Sequence, residues 1–355
     1  MQIKHLVISG GGPTMFQSLG AIQYLEQTGV INLKNIVSMY GTSAGAFVSV
    51  FVSLKFDWET LNEYIIKRPW HKIFPIKANT ILDSYSKRGL FDNSVIIKCF
   101  KPLFDAKDIS MEITMKQFFE YSGIEIHMFS FELNSFEGLD ISYKTHPDLP
   151  LIKALHMTSS FPVFLSPVII ENKCYIDGGI ICNYPLDKCI AANGNVDEIL
   201  GFNNDYSSEK KENSETQNSN SINDDSSLID FLLGLFIKII RSMETDTKQQ
   251  KIKNEVIYKA EHISVDIMKN CMYSHEVRQQ LLDSGIDASK EFFKKMEELK
   301  EKEEKEKEKE KEKEKEEEKE EKEEQGQEKE EEHEQELLNP YFLVLILIVC
   351  KSCFL

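Results

Sequence analysis

Three short runs of this sequence hold residues able to act on an acyl bond. Gly41-Thr42-Ser43-Ala44-Gly45 has the form G-x-S-x-G. Between a strand and a helix, such flanking glycines permit a sharp turn and close backbone approach, so the serine hydroxyl projects outward as a nucleophile. A hydroxyl needs a base. The histidine candidates behind it are His127, His146, His156, His262 and His275, none of them in a recognisable turn motif. Asp177-Gly178-Gly179 offers a carboxylate at the end of a short strand, where parallel sheets place their sites. Such a carboxylate can take the Ser43 proton directly. Alone, D-G-G also reads as an aspartate bonding its own turn. Gly10-Gly11-Gly12 lets backbone N–H groups converge on a developing anion, as in an oxyanion hole. The dinucleotide spacing G-x-G-x-x-G is not met, because Pro13 and Met15 follow Gly12 and the next glycine is Gly20.

These runs need elements to carry them. Ile3 to Ser9 is an apolar run that ends at the three glycines, as a buried parallel strand does. Leu19, Ile22, Tyr24 and Leu25, closed by Gly29, predict a helix with a glycine cap. Ile36 to Tyr40 predicts a strand leading into the G-x-S-x-G, and Ala46 to Leu54 an apolar helix leading out of it. Two strand–turn–helix units in succession indicate an α/β fold with a mainly parallel central sheet. Further on, 56–125 reads as mostly helical. Ile126–Phe131, Ser142–Tyr143, Lys173–Ile176 and Ile199–Phe202 read as strands, and Ile152–Thr158 as a helix. Asn203 to Ser227 is polar and reads as a flexible insertion. Leu228 to Met243 is a strongly apolar helix that either packs on the sheet or touches a membrane. Val256 to Ile267 reads as strand-like alternation, and Ser284 to Met296 as the last helix of the body, giving one domain over residues 1–296.

The formal net charge is −17, which argues against a polyanion binder such as a nucleic-acid protein. Between Glu297 and Glu336 stand 23 Glu and 11 Lys, which account for −12 of it. The body is therefore only mildly acidic. That tract (297–336) is low in complexity and reads as a solvated, partly helical spacer. The last segment, 337–355, is apolar only from Tyr341 to Cys350 without interruption, short of the about 20 residues a spanning helix needs. It reads as a marginal membrane anchor or an interfacial segment. The seven cysteines show no metal-ligand spacing or disulfide framework, and Cys350 and Cys353 lack a second pair. No secretory signal is visible, so a cytoplasmic site of action is expected.

In this order the three runs resemble the patatin-like phospholipases. Ser9-Gly10-Gly11-Gly12 through Gly20-Ala21-Ile22-Gln23-Tyr24-Leu25 resembles that family's first strand, loop and helix. Met157-Thr158-Ser159-Ser160-Phe161-Pro162, Tyr175-Ile176-Asp177-Gly178-Gly179 and Asn183-Tyr184-Pro185 resemble its second catalytic block. The resemblance is clear over about residues 3 to 200. It implies a three-layer α/β/α fold and a phospholipase A type of lipid acyl hydrolase. Ser43 would be the nucleophile, Asp177 the proton acceptor, and Gly10, Gly11 and Gly12 the oxyanion hole. Gly41 and Gly45 would shape the elbow, and Gly178 and Gly179 the second motif. It further implies no metal or cofactor, an acyl-lipid substrate such as a phospholipid, and contact with a membrane surface. The chain departs from the family at Thr14 and Met15, where a basic residue and a further glycine are usual. A catalytically weak membrane-associated binding or scaffold protein, and a soluble small-ester hydrolase, fit the same residues.

Overall fold

The computed structural model describes residues 2–75, 78–206, 222, 224, 227–244, 250–261, 263–337 and 340–352. They fall into two units, Met1–Phe292 and Phe293–Leu355. The described strands are β1 (His5–Ile8), β2 (Ser38–Thr42), β3 (Gly89–Phe91), β4 (Glu125–Glu132), β5 (Glu137–Ile141), β6 (Val163–Leu165), β7 (Val168–Ile170), β8 (Lys173–Asp177), β9 (Ile199–Asp205) and β10 (Glu255–Lys259). Eight of them form one sheet, with pairing β10-β9-β1-β2-β4-β8-β7 and with β5 also on β4. From β10 to β4 every pairing is parallel. The β4–β5, β4–β8 and β7–β8 pairings are antiparallel. β3 and β6 make a separate two-stranded sheet.

The central strands β1, β2 and β4 are buried along their whole length, as in a sheet covered on both faces. Side chains alternate faces along a strand. Val7, Tyr40 and Phe129 point to one face, where Tyr184, Leu186 and Cys189 cover them. Ser130 points the other way and donates to the Met157 carbonyl (3.0 Å), which puts helix Leu151–Ser159 on that second face. The apolar helix Ala44–Ser53 contacts β1, β2, β4 and Leu151–Ser159 there. The result is a mixed α/β fold with a mainly parallel sheet between helices.

Several expectations need correction. Ser142–Tyr143 is not strand: β5 ends at Ile141, and Ser142 N–H bonds Thr145 Oγ1 (2.9 Å) in a turn. The alternation after Val256 ends at Lys259, because Ser264 caps helix Val265–Tyr273 by accepting from Ile267 N–H (3.2 Å). The polar insertion begins later than Asn203. Asn203, Asn204 and Asp205 belong to β9 and pair with Ile257, Tyr258 and Lys259 of β10, while 207–221 lies outside the described residues. The last helix starts at His275 rather than Ser284.

Leu228–Glu244 packs with one face, where Leu233 is buried and Ile240 lies on Phe131, Ile176 and Ile180. Its other face leaves Leu228, Phe231, Leu235 and Ile239 exposed. In the second unit, the Glu/Lys tract is helical to Leu337, fully rather than partly. Helix Pro340–Ser352 has 13 residues. Among the described residues no helix is long and apolar enough to cross a membrane.

Candidate active site

β2 ends at Thr42, and Ser43 follows with φ 52° and ψ −115°. That is left-handed backbone, which a non-glycine residue keeps only when its surroundings over-determine it. Here they do. Ser43 N–H donates to Thr158 Oγ1 (3.0 Å), and that hydroxyl donates to the Phe129 carbonyl (2.5 Å). Thr42 Oγ1 donates to the Cys182 carbonyl (2.7 Å). A Cβ on Gly41 would lie 2.5 Å from the Gly45 carbonyl carbon, and one on Gly45 would collide with the Ile8 carbonyl. The two glycines are therefore steric requirements of the turn.

The arrival of Asp177 follows from the edges of β4. Met128 and Phe129 pair with β2 and β5 at once, so β2 and β5 lie on opposite edges. Ser130 to Glu132 pair with β5 and β8 at once, so β8 shares the edge of β2. Thr42 is opposite Phe129, and Asp177 is opposite Ser130. β2 and β8 thus run toward each other along one edge and meet C-terminus to C-terminus. The sequence placed Asp177 at the tip of a strand. The strand proves antiparallel, and the two tips meet end to end rather than side by side.

Asp177 is 2% exposed. Burial raises its pKa from the ordinary 3.8 to about 6, against the pull of hydrogen bonds from the Ser43 hydroxyl and the Gly179 N–H. The latter bond is 2.8 Å long and ends on Oδ1. A carboxylate poised there is ionised at neutral pH yet more basic than an exposed one, which suits a general base. Ser43 and Asp177 both line a cavity of about 180 Å³. Its walls are apolar, with Phe47, Phe51, Trp70, Phe74, Val95 and Phe164 among them. Cys99 and Cys271 also line it, and burial pushes both thiols up to about 12, so neither is a ready nucleophile.

The glycine loop needs one correction. Gly10 N–H donates to the Asn183 carbonyl (3.0 Å) and is not available to an oxyanion. Gly11 (φ +153°) and Gly12 (φ +60°) use backbone that side chains rarely adopt, and among the described residues their N–H groups have no acceptor. Gly12 lines the cavity with Ser43. Thr14 is buried beside Gly11, with its hydroxyl unpartnered, and Met15 forms cavity wall. No lysine or arginine among the described residues lines the cavity.

The histidines are occupied elsewhere. His127 bridges Asp140 (2.9 Å) and Glu125 (3.0 Å) and stacks on Tyr40. His156 bonds the Ser166 carbonyl (2.9 Å), His146 bonds Thr145, and His275 pairs with Glu276. His262 lies outside the described residues. Among those described, no histidine lines the cavity. Two contributors were not singled out from the sequence. Thr158 stood in a quoted run without a role. Asn204, which donates to the Gly10 carbonyl (2.6 Å), was assigned to the insertion.

A serine elbow, a buried aspartate and a glycine loop gathered on a mainly parallel α/β sheet define a hydrolase-like arrangement. A family model described as patatin-like phospholipase matches residues 6–190, more than half of the chain. The chain belongs to the patatin-like phospholipase family. It is 27% identical over 189 residues to "Probable lipid hydrolase 463L" of Invertebrate iridescent virus 6, covering 53% of this chain and 63% of that protein. It is 26% identical over 189 residues to "Uncharacterized protein R571" of Acanthamoeba polyphaga mimivirus, covering 52% and 61%. The matches thus span less than two thirds of either relative. The crystal structure of VipD from Legionella pneumophila superposes with a TM-score of 0.50 at 14% identity, covering 83% of this chain and 67% of that one, a likeness of fold alone.

Proposed function

We propose that this chain hydrolyses fatty-acyl esters of lipids, in the manner of a phospholipase A, through Ser43 and Asp177. One observation carries the reading: the hydroxyl on the strained elbow and the buried carboxylate meet at the wall of a single apolar cavity. Ser43 Oγ attacks the ester carbonyl while Asp177 takes its proton. The N–H groups of Gly11 and Gly12 stabilise the oxyanion. Collapse of the tetrahedral intermediate breaks the bond to the alcohol, which leaves with the proton from Asp177. A water then attacks the acyl-enzyme with Asp177 again as base, the Ser43 Oγ–acyl bond breaks, Asp177 returns the proton to Ser43 Oγ, and the fatty acid departs. The apolar walls suit an acyl chain.

Membrane contact is part of the same proposal. Leu228, Phe231, Leu235 and Ile239 are 71%, 47%, 44% and 44% exposed along one side of their helix. On its other side, Ile229 and Leu233 line a side cavity of about 80 Å³ that shares Phe161, Phe164 and Met268 with the main one. An apolar stripe so close to the acyl cavity suits docking on a lipid surface.

The test is fatty-acid release from phosphatidylcholine vesicles by the full chain. Release that vanishes in Ser43→Ala and Asp177→Asn supports the proposal. Release equal in wild type and Ser43→Ala refutes it. A folded chain that binds vesicles without release favours the scaffold reading.

A further inference from the structure

We infer that Asn204 is a positioning residue for the anion-stabilising loop, its side-chain amide holding the Gly10–Gly11 peptide so that the Gly11 N–H faces away from β9 and toward the reacting ester. This rests on the hydrolase reading above.

After Ile8 the chain leaves the sheet, and the glycine loop has no conformational preference of its own. Something outside the loop must fix it. Ser9 N–H is tied to the Phe202 carbonyl (3.0 Å) and Gly10 N–H to the Asn183 carbonyl (3.0 Å). The Gly10 carbonyl accepts from Asn204 Nδ2 at 2.6 Å and from Asn183 Nδ2 at 3.4 Å. A trans peptide is planar, with its N–H antiparallel to its C=O, and the described chain has no cis peptide bond. Anchoring the Gly10 oxygen on the Asn204 side therefore aims the Gly11 N–H the opposite way. Gly10 itself backs on the nucleophile, since a Cβ there would lie 3.4 Å from Ser43 Cβ.

Asn204 is well placed to be rigid. Its backbone sits in β9 opposite Tyr258 of β10, and Nδ2 also donates to Tyr206 Oη (3.0 Å). Its amide orientation follows from chemistry. A carbonyl oxygen accepts only, so the group turned to Gly10 must be the NH₂. The 2.6 Å bond is much the shorter of the two asparagine contacts, so Asn204 carries the orientation and Asn183 supplements it.

The test compares wild type, Asn204→Asp, Asn204→Ser and Ser43→Ala on a soluble short-chain ester, with thermal melts as a check on folding. Aspartate keeps the size of asparagine and loses the donor. Serine keeps a donor that is too short to reach. Removing an oxyanion donor outright lowers kcat about 100- to 1,000-fold. Misaiming one is expected to lower it roughly 10- to 100-fold in both variants, with KM within about twofold. Binding of a trifluoromethyl ketone, which forms an oxyanion on the serine, should weaken by a factor similar to the loss of kcat. Variants that keep wild-type kcat and inhibitor binding would overturn this inference alone, as would a shift confined to KM. Hydrolysis unaffected by Ser43→Ala would instead overturn the hydrolase reading beneath it.

Discussion

The two halves of the catalytic pair are delivered by different parts of one sheet. Ser43 comes from the parallel part, where β1, β2 and β4 lie in register and glycines let backbone pack on backbone. Asp177 comes from the antiparallel part, where β8 meets β2 end to end on one edge of β4. The nucleophile is thus held by close backbone packing at Gly41 and Gly45 and by the hydrogen bond from its N–H to Thr158. The base is held by the pairing of β8 with β4, where Asp177 lies opposite Ser130, and burial rather than its neighbours in sequence sets its chemistry. Such a division predicts that changes at the elbow act on the fold as well as the reaction, whereas a change at Asp177 can separate the two.

The largest expected effect comes from the pair itself. Ser43→Ala and Asp177→Asn should each lower kcat by about 10⁴-fold or more on any ester that the wild type cleaves. The same aspartate should behave oppositely in stability. Its folded pKa is raised from 3.8 to about 6, so the folded state binds the proton more tightly than the unfolded one. The contribution of Asp177 to stability is then lost as pH rises from about 4 to about 6, by on the order of 3 kcal/mol. Asp177→Asn should therefore unfold at higher denaturant than wild type at pH 8, with the advantage gone near pH 4. Equal stability at both pH values would break the contrast between the two halves.

At the elbow, Gly45→Ala should destabilise by about 2 kcal/mol or more, because its Cβ meets the Ile8 carbonyl. Urea unfolding would show it. Thr158→Val removes the acceptor for Ser43 N–H and the donor to the Phe129 carbonyl. It should cost about 1–3 kcal/mol and lower kcat with KM little changed. The smallest effect on the fold belongs to the outward stripe. Leu235→Glu, on a side chain 44% exposed, should leave stability within about 0.5 kcal/mol. It should reduce hydrolysis of vesicle lipid several-fold while sparing a soluble ester. Equal losses on both substrates would remove the membrane role from that helix.

The parallel half was legible in the sequence because its signals are local. An apolar run, a glycine loop, a second apolar run and G-x-S-x-G in order already dictate two strand–turn–helix units. The antiparallel half was less so. Nothing local in Lys173–Asp177 reveals that it pairs antiparallel with β4, because the partner residues, Ser130 to Glu132, stand in a separate stretch of the chain. The end of β9 was hidden for a related reason. Asn203, Asn204 and Asp205 have poor strand propensity, and only the β10 partner across them makes them strand. With the last three residues of that strand assigned to the insertion, Asn204 could not be seen to reach Gly10. Gly10 was read as a donor because three glycines look alike in sequence, whereas a hydrogen bond to Asn183 sets its N–H apart.

The measurement closest to the central claim is labelling of the full chain with a fluorophosphonate, followed by mass-spectrometric mapping across pH. Transfer of the proton from Ser43 to Asp177 predicts a single adduct on Ser43, whose rate of formation rises through an apparent pKa near 6 and collapses in Asp177→Asn. An adduct on another residue, or Ser43 labelling at the wild-type rate without the Asp177 carboxylate, would contradict it.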